Sequence, residues 1–223
     1  MNAKLITVNN LSFRYPKAEN DTLKGVSFEV NKGDYIAIVG TSGSGKSTLL
    51  SILGLLNKPT TGSYQILGTN TTKLTNNSLS LLKNNEIGFI FQNFNLLSQL
   101  TVYDNVALPL TYNPLIKRGD YKEKVYKALA YVNMEDYGKR LPEQLSGGQQ
   151  QRIAIARALV NEPSLILADE PTGNLDSSNS QQVFELLGRL NNDGNTICLI
   201  THDMEYAKKA QQQWIMSDGQ LVT

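Results

Sequence analysis

Gly40-Thr41-Ser42-Gly43-Ser44-Gly45-Lys46-Ser47 is the stretch on which the fold turns. It meets every fixed position of the pattern G-x-x-x-x-G-K-[ST]. An apolar run, Tyr35-Ile36-Ala37-Ile38-Val39, leads into it, and residues 48–56 after it read as an apolar helix ending before Pro59. Strand, glycine-rich loop and helix in that order let consecutive backbone N–H groups converge on one anion. The positive end of the helix macrodipole lies behind them. In such a loop Gly43 and Gly45 give the backbone its reach, Lys46 meets the β- and γ-phosphates of a nucleoside triphosphate, and the Ser47 hydroxyl holds Mg²⁺. A purely structural turn would need neither Lys46 nor Ser47.

Four more short apolar runs stop abruptly in polar sequence. They are Ile87-Gly88-Phe89-Ile90-Phe91, Leu165-Ile166-Leu167-Ala168, Thr196-Ile197-Cys198-Leu199-Ile200 and the weaker Trp214-Ile215-Met216. Lacking strict alternation, they read as strands buried on both faces. Helical patterns at 149–160 and 181–190 lie between them, so a mainly parallel sheet is expected. Residues 3–34 and 60–68 instead alternate apolar and polar, with turn signals at Asn31-Lys32-Gly33-Asp34 and Thr60-Thr61-Gly62. They predict an antiparallel β-lobe. Residues 93–161 carry helical segments and no convincing strand, so a helical lobe is expected there. The fold class is α/β: a P-loop NTPase core (1–92 and 162–223) with an N-terminal antiparallel β-lobe and an inserted helical lobe, as one domain. Asn31-Lys32-Gly33-Asp34 also matches the guanine-reading N-K-x-D, but it precedes the phosphate loop and reads as a hairpin turn.

Composition narrows the class. The 223 residues hold 21 Lys+Arg, 20 Asp+Glu, one His and one Cys, for a formal charge of +1. Near-neutral charge with scattered signs argues against a nucleic-acid binder. The densest basic stretch, 117–127, is interrupted by Asp120 and Glu123 and reads as a solvated helix face. One His and one Cys leave no Cys/His zinc site and no disulfide, which suits a reducing compartment. Neither a signal peptide nor a membrane-spanning apolar run is expected.

The remaining chemistry gathers at strand ends. Asp169-Glu170 closes the third apolar run, and alternation would put the two carboxylates on opposite faces. One suits the water shell of Mg²⁺, and the other can take a proton from an attacking water. Gln92 and His202 follow two other runs, so one sheet edge would collect Ser44, Lys46, Gln92, Asp169, Glu170 and His202. For His202 alone, a polar cap on the helix beginning at Asp203 is an equal alternative. Leu145-Ser146-Gly147-Gly148-Gln149 fits a capping box between Ser146 and Gln149. Its paired glycines weaken a first helical turn, which points instead to close approach of backbone to a second anion.

Together with Asn174-Leu175-Asp176, these elements resemble the ATP-binding cassette family in order and spacing, over nearly the whole chain. The resemblance implies an ATPase with ATP and Mg²⁺ as ligands. Gly40, Thr41, Ser42, Gly43, Ser44, Gly45, Lys46, Ser47 and Thr48 would hold the phosphates, and Tyr15 would stack on adenine; without the resemblance, Tyr15 reads as a surface tyrosine on an edge strand. Ser47, Gln92 and Asp169 would serve the metal, Glu170 would be the general base, and His202 would contact the γ-phosphate. Two copies would face head to tail, with Ser146, Gly147, Gly148, Gln149 and Asp176 of one completing the ATP site of the other.

Residues 87–97, 101–110 and 171–176 look like the subgroup of lipoprotein-release, macrolide-export and peptide-export cassettes. That implies an integral membrane subunit received in a groove between Phe94 and Leu110, no nucleic acid, and a cytoplasmic, membrane-peripheral location. A fused membrane domain would make this chain an excised piece. An importer cassette is the next reading. A soluble cassette ATPase on DNA or ribosomes lacks the needed coiled coil or second cassette, and Glu170 with His202 argues against a non-hydrolysing regulator.

Overall fold

The computed structural model describes residues 3–222. The five apolar runs form the strands β3 (Tyr35–Val39), β6 (Ile87–Phe91), β7 (Leu165–Asp169), β8 (Thr196–Ile200) and β9 (Gln212–Ser217). These five are parallel, and β10 (Gln220–Val222) adds an antiparallel edge, giving the order β10-β9-β3-β8-β7-β6. Alternate residues of one strand enter two different cores. Ile36, Ile38, Leu165, Leu167, Cys198 and Ile200 join one cluster; Ala37, Val39, Ile166, Ala168, Ile197 and Leu199 join the other. A strand sandwiched this way has no polar face to show, which is why these runs do not alternate. Each fully buried Leu or Ile side chain contributes about 1.5–3 kcal/mol. Cys198 is one of these buried residues, its thiol pushed up to about 12 by burial.

One side of the sheet is covered by α1 (Lys46–Leu53) and by a second sheet. That sheet contains β1 (Lys4–Phe13), β2 (Leu23–Asn31), β4 (Thr61–Ile66) and β5 (Thr69–Asn70), antiparallel in the order β2-β1-β4-β5. The other side carries α3 (Val102–Thr111), α4 (Tyr121–Tyr131), α5 (Gly147–Leu159) and α6 (Ser177–Asn192). Two further helices are α2 (Asn76–Glu86), leading into β6, and the short α7 (Met204–Ala207). Among the described residues no helix is long and apolar enough to cross a membrane.

Three local expectations are corrected. Asn31-Lys32-Gly33-Asp34 does turn, with Asp34 N–H donating to the Asn31 carbonyl at 3.2 Å, but it is no hairpin. It joins β2 of one sheet to β3 of the other, and buried Asp34 ties it by accepting from Asn31 N–H at 2.8 Å. Thr61 and Gly62 belong to β4 instead of a turn before it. Tyr15 lies beyond the end of β1, which is a central strand, so it is not an edge-strand residue.

Candidate functional site

The parallel strands β3, β7 and β8 deliver their carboxyl ends to one edge, and there the phosphate loop, Asp169, Glu170 and His202 enclose a cleft of about 510 Å³. Gly45 caps α1 with φ 104°, a left-handed conformation that a side chain would strain. Lys46 Nζ donates to the carbonyls of Gly40 and Thr41, both at 2.8 Å, so the ammonium is held over the loop. Ser44 Oγ is buried with no hydrogen-bond partner among the described residues. Ser44, expected at this edge, is buried beside Gly40 and, like Thr41, is not among the cleft-lining residues.

Ser47 Oγ donates to Asp169 Oδ1 at 3.5 Å, bringing a hydroxyl and a carboxylate together across the cleft floor. Burial raises the Asp169 carboxyl above its ordinary range, Glu170 beside it adds to this, and the Ser47 bond and Lys46 oppose it. Hard oxygen ligands of this kind, one carboxylate and one hydroxyl with room for water, suit Mg²⁺.

The two acidic residues do not point to opposite faces. The strand ends at Asp169, and Glu170 turns left-handed at φ 47°, so both side chains line the same cleft. A non-glycine residue there costs about 1–3 kcal/mol and persists only where its surroundings fix it. Here Glu170 N–H donates to the Ile200 carbonyl at 3.0 Å. Its Oε2 accepts from His202 twice, from the backbone N–H at 3.3 Å and from ring Nδ1 at 2.8 Å. A carboxylate only accepts, so Nδ1 carries the proton and Nε2 is the ring atom left for another partner. His202 is 76 % exposed and is not the helix cap. Asp203 fills that role, accepting from Glu205 and Tyr206 N–H.

Other expected residues lie outside this cleft. Tyr15, 43 % exposed, packs edge-on to Phe13 and shares a 3.2 Å hydrogen bond with the Thr48 hydroxyl. Gln92 follows β6 on the same sheet edge, but its side chain turns to Asn174 and is not among the cleft-lining residues. Ser146 and Gln149 form the capping box of α5: Ser146 Oγ accepts from Gln149 N–H at 3.3 Å and Gln149 Oε1 from Ser146 N–H at 2.9 Å. Gly148 has an intramolecular reason, since a Cβ would fall 2.0 Å from Asn179 Oδ1. Asp176 caps α6 and accepts from the N–H and the side-chain amide of Asn179, bonds that hold its carboxyl below the usual range. Thr22, the residue before β2, lines the cleft without any motif to announce it.

A larger groove of about 920 Å³ lies between α2, β6 and the end of α3. From the stretch between Phe94 and Leu110, Asn95, Leu108 and Pro109 line it; the facing wall is α2, with Leu81. Leu56, Leu81 and Tyr112 at this groove are exposed at 51, 37 and 69 %.

Comparison with known proteins gives these features a family. The sequence profile described as ABC transporter matches residues 23–173. The chain is 46 % identical to the uncharacterized ABC transporter ATP-binding protein YvrO of Bacillus subtilis (strain 168), over 98 % of this chain and 96 % of the relative. It is 43 % identical to the macrolide export ATP-binding/permease protein MacB of Chlorobaculum tepidum, over 98 % of this chain but 34 % of that protein. The chain thus spans about a third of the MacB relative's length. Among solved structures, the dimeric post-hydrolysis ATP-binding cassette MJ0796 bound to ADP and Pi superposes with a TM-score of 0.88 at 38 % identity, covering 98 % of this chain and 97 % of that one. This chain therefore belongs to the ABC transporter family and is an ATP-hydrolysing cassette of the P-loop α/β type.

Proposed function

We propose that the chain, one cassette with its core at 1–92 and 162–223 and its helical lobe at 93–161, drives a membrane subunit in export, lipoprotein release or envelope mechanotransmission. In this reading ATP lies along Gly40–Ser47 with adenine against Tyr15, and Thr48 beside it. Lys46 and the loop N–H groups neutralise the β- and γ-phosphates. Ser47 and Asp169 would hold Mg²⁺, which supplies further charge neutralisation at the transferring phosphoryl group, and Gln92 reads that site. Glu170 takes the proton of the attacking water. His202 orients Glu170 through Nδ1 and meets a γ-phosphate oxygen through Nε2, a contact that needs both ring nitrogens protonated. The observation that carries this reading is the convergence of Lys46, Ser47, Asp169, Glu170 and His202 on one cleft.

The groove beside α2 is the place for the membrane subunit's cytoplasmic helix, since exposed apolar side chains flank it. Similarity to the MacB relatives supports an exporter or mechanotransmission partner over an importer. Such a partner would place the chain on the inner face of the cell membrane. A second copy would supply Ser146, Gly147, Gly148, Gln149 and Asp176 to the site, an arrangement supported by the dimeric cassettes that it resembles.

The test is Glu170→Gln. It should keep ATP binding and slow turnover by about 10²–10⁴-fold, the usual worth of a general base. Turnover close to wild type in a phosphate-release assay overturns the assignment.

A further inference from the structure

The basic stretch 117–127 divides into two parts in the structure. Lys127 and Lys124 face Glu162 at 2.7 and 3.9 Å, so that cluster accounts for them. Lys117, Arg118 and Lys122 are exposed and form no ion pair among the described residues. Just before them the chain exposes Tyr112 and Leu115, at 69 and 78 %, and Leu115 is not among the residues lining the larger groove. The loop between α3 and α4 is held in this shape from below. Buried Asn113 accepts from Leu115 N–H through Oδ1 at 3.0 Å, and its carbonyl accepts from Ile116 N–H at 3.2 Å. Its Nδ2 donates to Asn161 Oδ1 at 3.3 Å, and Asn161 Nδ2 donates to the Asn84 carbonyl at 3.0 Å. Ile116 packs on the core, and the Tyr121 hydroxyl donates to the Leu110 carbonyl at 2.9 Å. With Asn113 and Ile116 turned inward, Tyr112 and Leu115 are left on the outside of a fixed loop.

A partner helix buries its apolar face in a groove. An outward apolar tip with cations beside it matches instead the boundary between lipid headgroups and acyl chains. We propose that residues 112–118 touch an anionic lipid surface directly, with Tyr112 and Leu115 entering at headgroup level and Lys117 and Arg118 meeting lipid phosphates. Lys122 adds to that attraction, and exposed Asp120 and Glu123 offset part of it. Tyr112 also lines the groove assigned to the membrane subunit, so the loop would bear on lipid beside that subunit, and the inference rests on that reading for its setting. The contact is weak alone, each cation raising partition about fivefold. It gains strength when a membrane subunit holds the chain nearby.

The test uses the whole chain and lipid vesicles with no membrane subunit present, so its outcome does not depend on what fills the groove. Leu115→Trp puts a reporter at the tip, since the native Trp214 is buried. With millimolar vesicles of equal parts phosphatidylcholine and phosphatidylglycerol, its emission should shift to the blue and be quenched by brominated acyl chains. In co-sedimentation without the reporter, Leu115→Ser should lower partition about tenfold or more. Lys117→Gln and Arg118→Gln should each lower it about fivefold. Lys24→Gln removes one exposed charge beside β10, at the edge of the sheet opposite β6, and should leave partition unchanged. ATPase activity in solution should be that of wild type in all of these loop variants. A Leu115→Trp emission that neither shifts nor is quenched overturns the proposal. Equal partition of wild type and Leu115→Ser also overturns it and leaves the tip to a protein surface. A loss in Lys24→Gln as large as in Lys117→Gln reduces the binding to overall charge and overturns the role of the loop.

Discussion

Asp169 shows what the site costs a single residue. Its carboxyl is raised above the ordinary range chiefly by burial. A raised acid binds more protons folded than unfolded, so stability falls as pH climbs from the unfolded pKa through the folded one, and the ionised group is a burden above that window. Asp169→Asn should therefore raise the melting temperature at neutral pH, by up to a few degrees, while abolishing Mg²⁺-dependent ATPase activity. A differential scanning measurement showing a lower melting temperature would contradict the assigned cause of the shift. Glu170 stores a different cost, in its backbone, and that one was invisible in the sequence. Asp-Glu at a strand end announces two carboxylates, but alternation places them apart. Only the left-handed turn at φ 47° brings both into one cleft. The motif residues Lys46 and Ser47 were legible because their chemistry is tied to a fixed spacing. Thr22 was not, because it reaches the cleft through tertiary proximity, with no pattern of its own.

Among the elements, legibility followed burial. The five parallel strands announced themselves because both faces are covered, leaving unbroken apolar runs. α2 did not: Asn76, Asn77, Ser78, Asn84 and Asn85 are poor helix formers, and Leu79 is its one buried residue. It forms because Thr75 caps it, accepting from Ser78 N–H, and because it packs on β6. The close fit of α5 to β6 decides how near the helical lobe can come to the sheet. At Gly88 a Cβ would meet the Ala158 carbonyl oxygen at 2.5 Å and Pro163 at 3.1 Å. The obstacle is backbone, which cannot swing aside. Gly88→Ala should therefore destabilise by roughly 1–3 kcal/mol, the usual cost of overpacking. In a chain of this size that lowers the melting temperature by about 2–4 °C per kcal/mol. A melting temperature equal to wild type would show that the lobe yields without cost. The same helix ends against the Gln92 loop, where partly buried Arg157 donates to the carbonyls of Phe94 and Asn95. Both those residues are left-handed, at φ 56° and 51°. One rigid element thus runs from the capping box at Ser146 to the wall of the larger groove.

At the scale of the whole molecule, the proposed head-to-tail pairing needs two separate surfaces of one chain. The phosphate loop, Asp169, Glu170 and His202 share a cleft, and Ser146, Gly147, Gly148 and Gln149 do not line it. The sequence pointed to an anion surface at this helix start, but the capping box and the contact of Gly148 with Asn179 account for much of the same pattern within one chain. Only a second copy separates the two explanations. If the segment completes a partner's site, a bulky cation at Ser146 must block closure while leaving the first half intact. Ser146→Arg in a Glu170→Gln background should bind ATP as tightly as Glu170→Gln alone, and light scattering should find it monomeric with ATP where the parent is dimeric. Losing the Ser146 cap costs about 1 kcal/mol of stability, so Ser146→Ala serves as the control. It loses the same cap, stays small, and should still dimerise. If Ser146→Arg dimerises with ATP as readily as Ser146→Ala, the segment serves its own helix and no partner, and Gly148 answers to Asn179 alone.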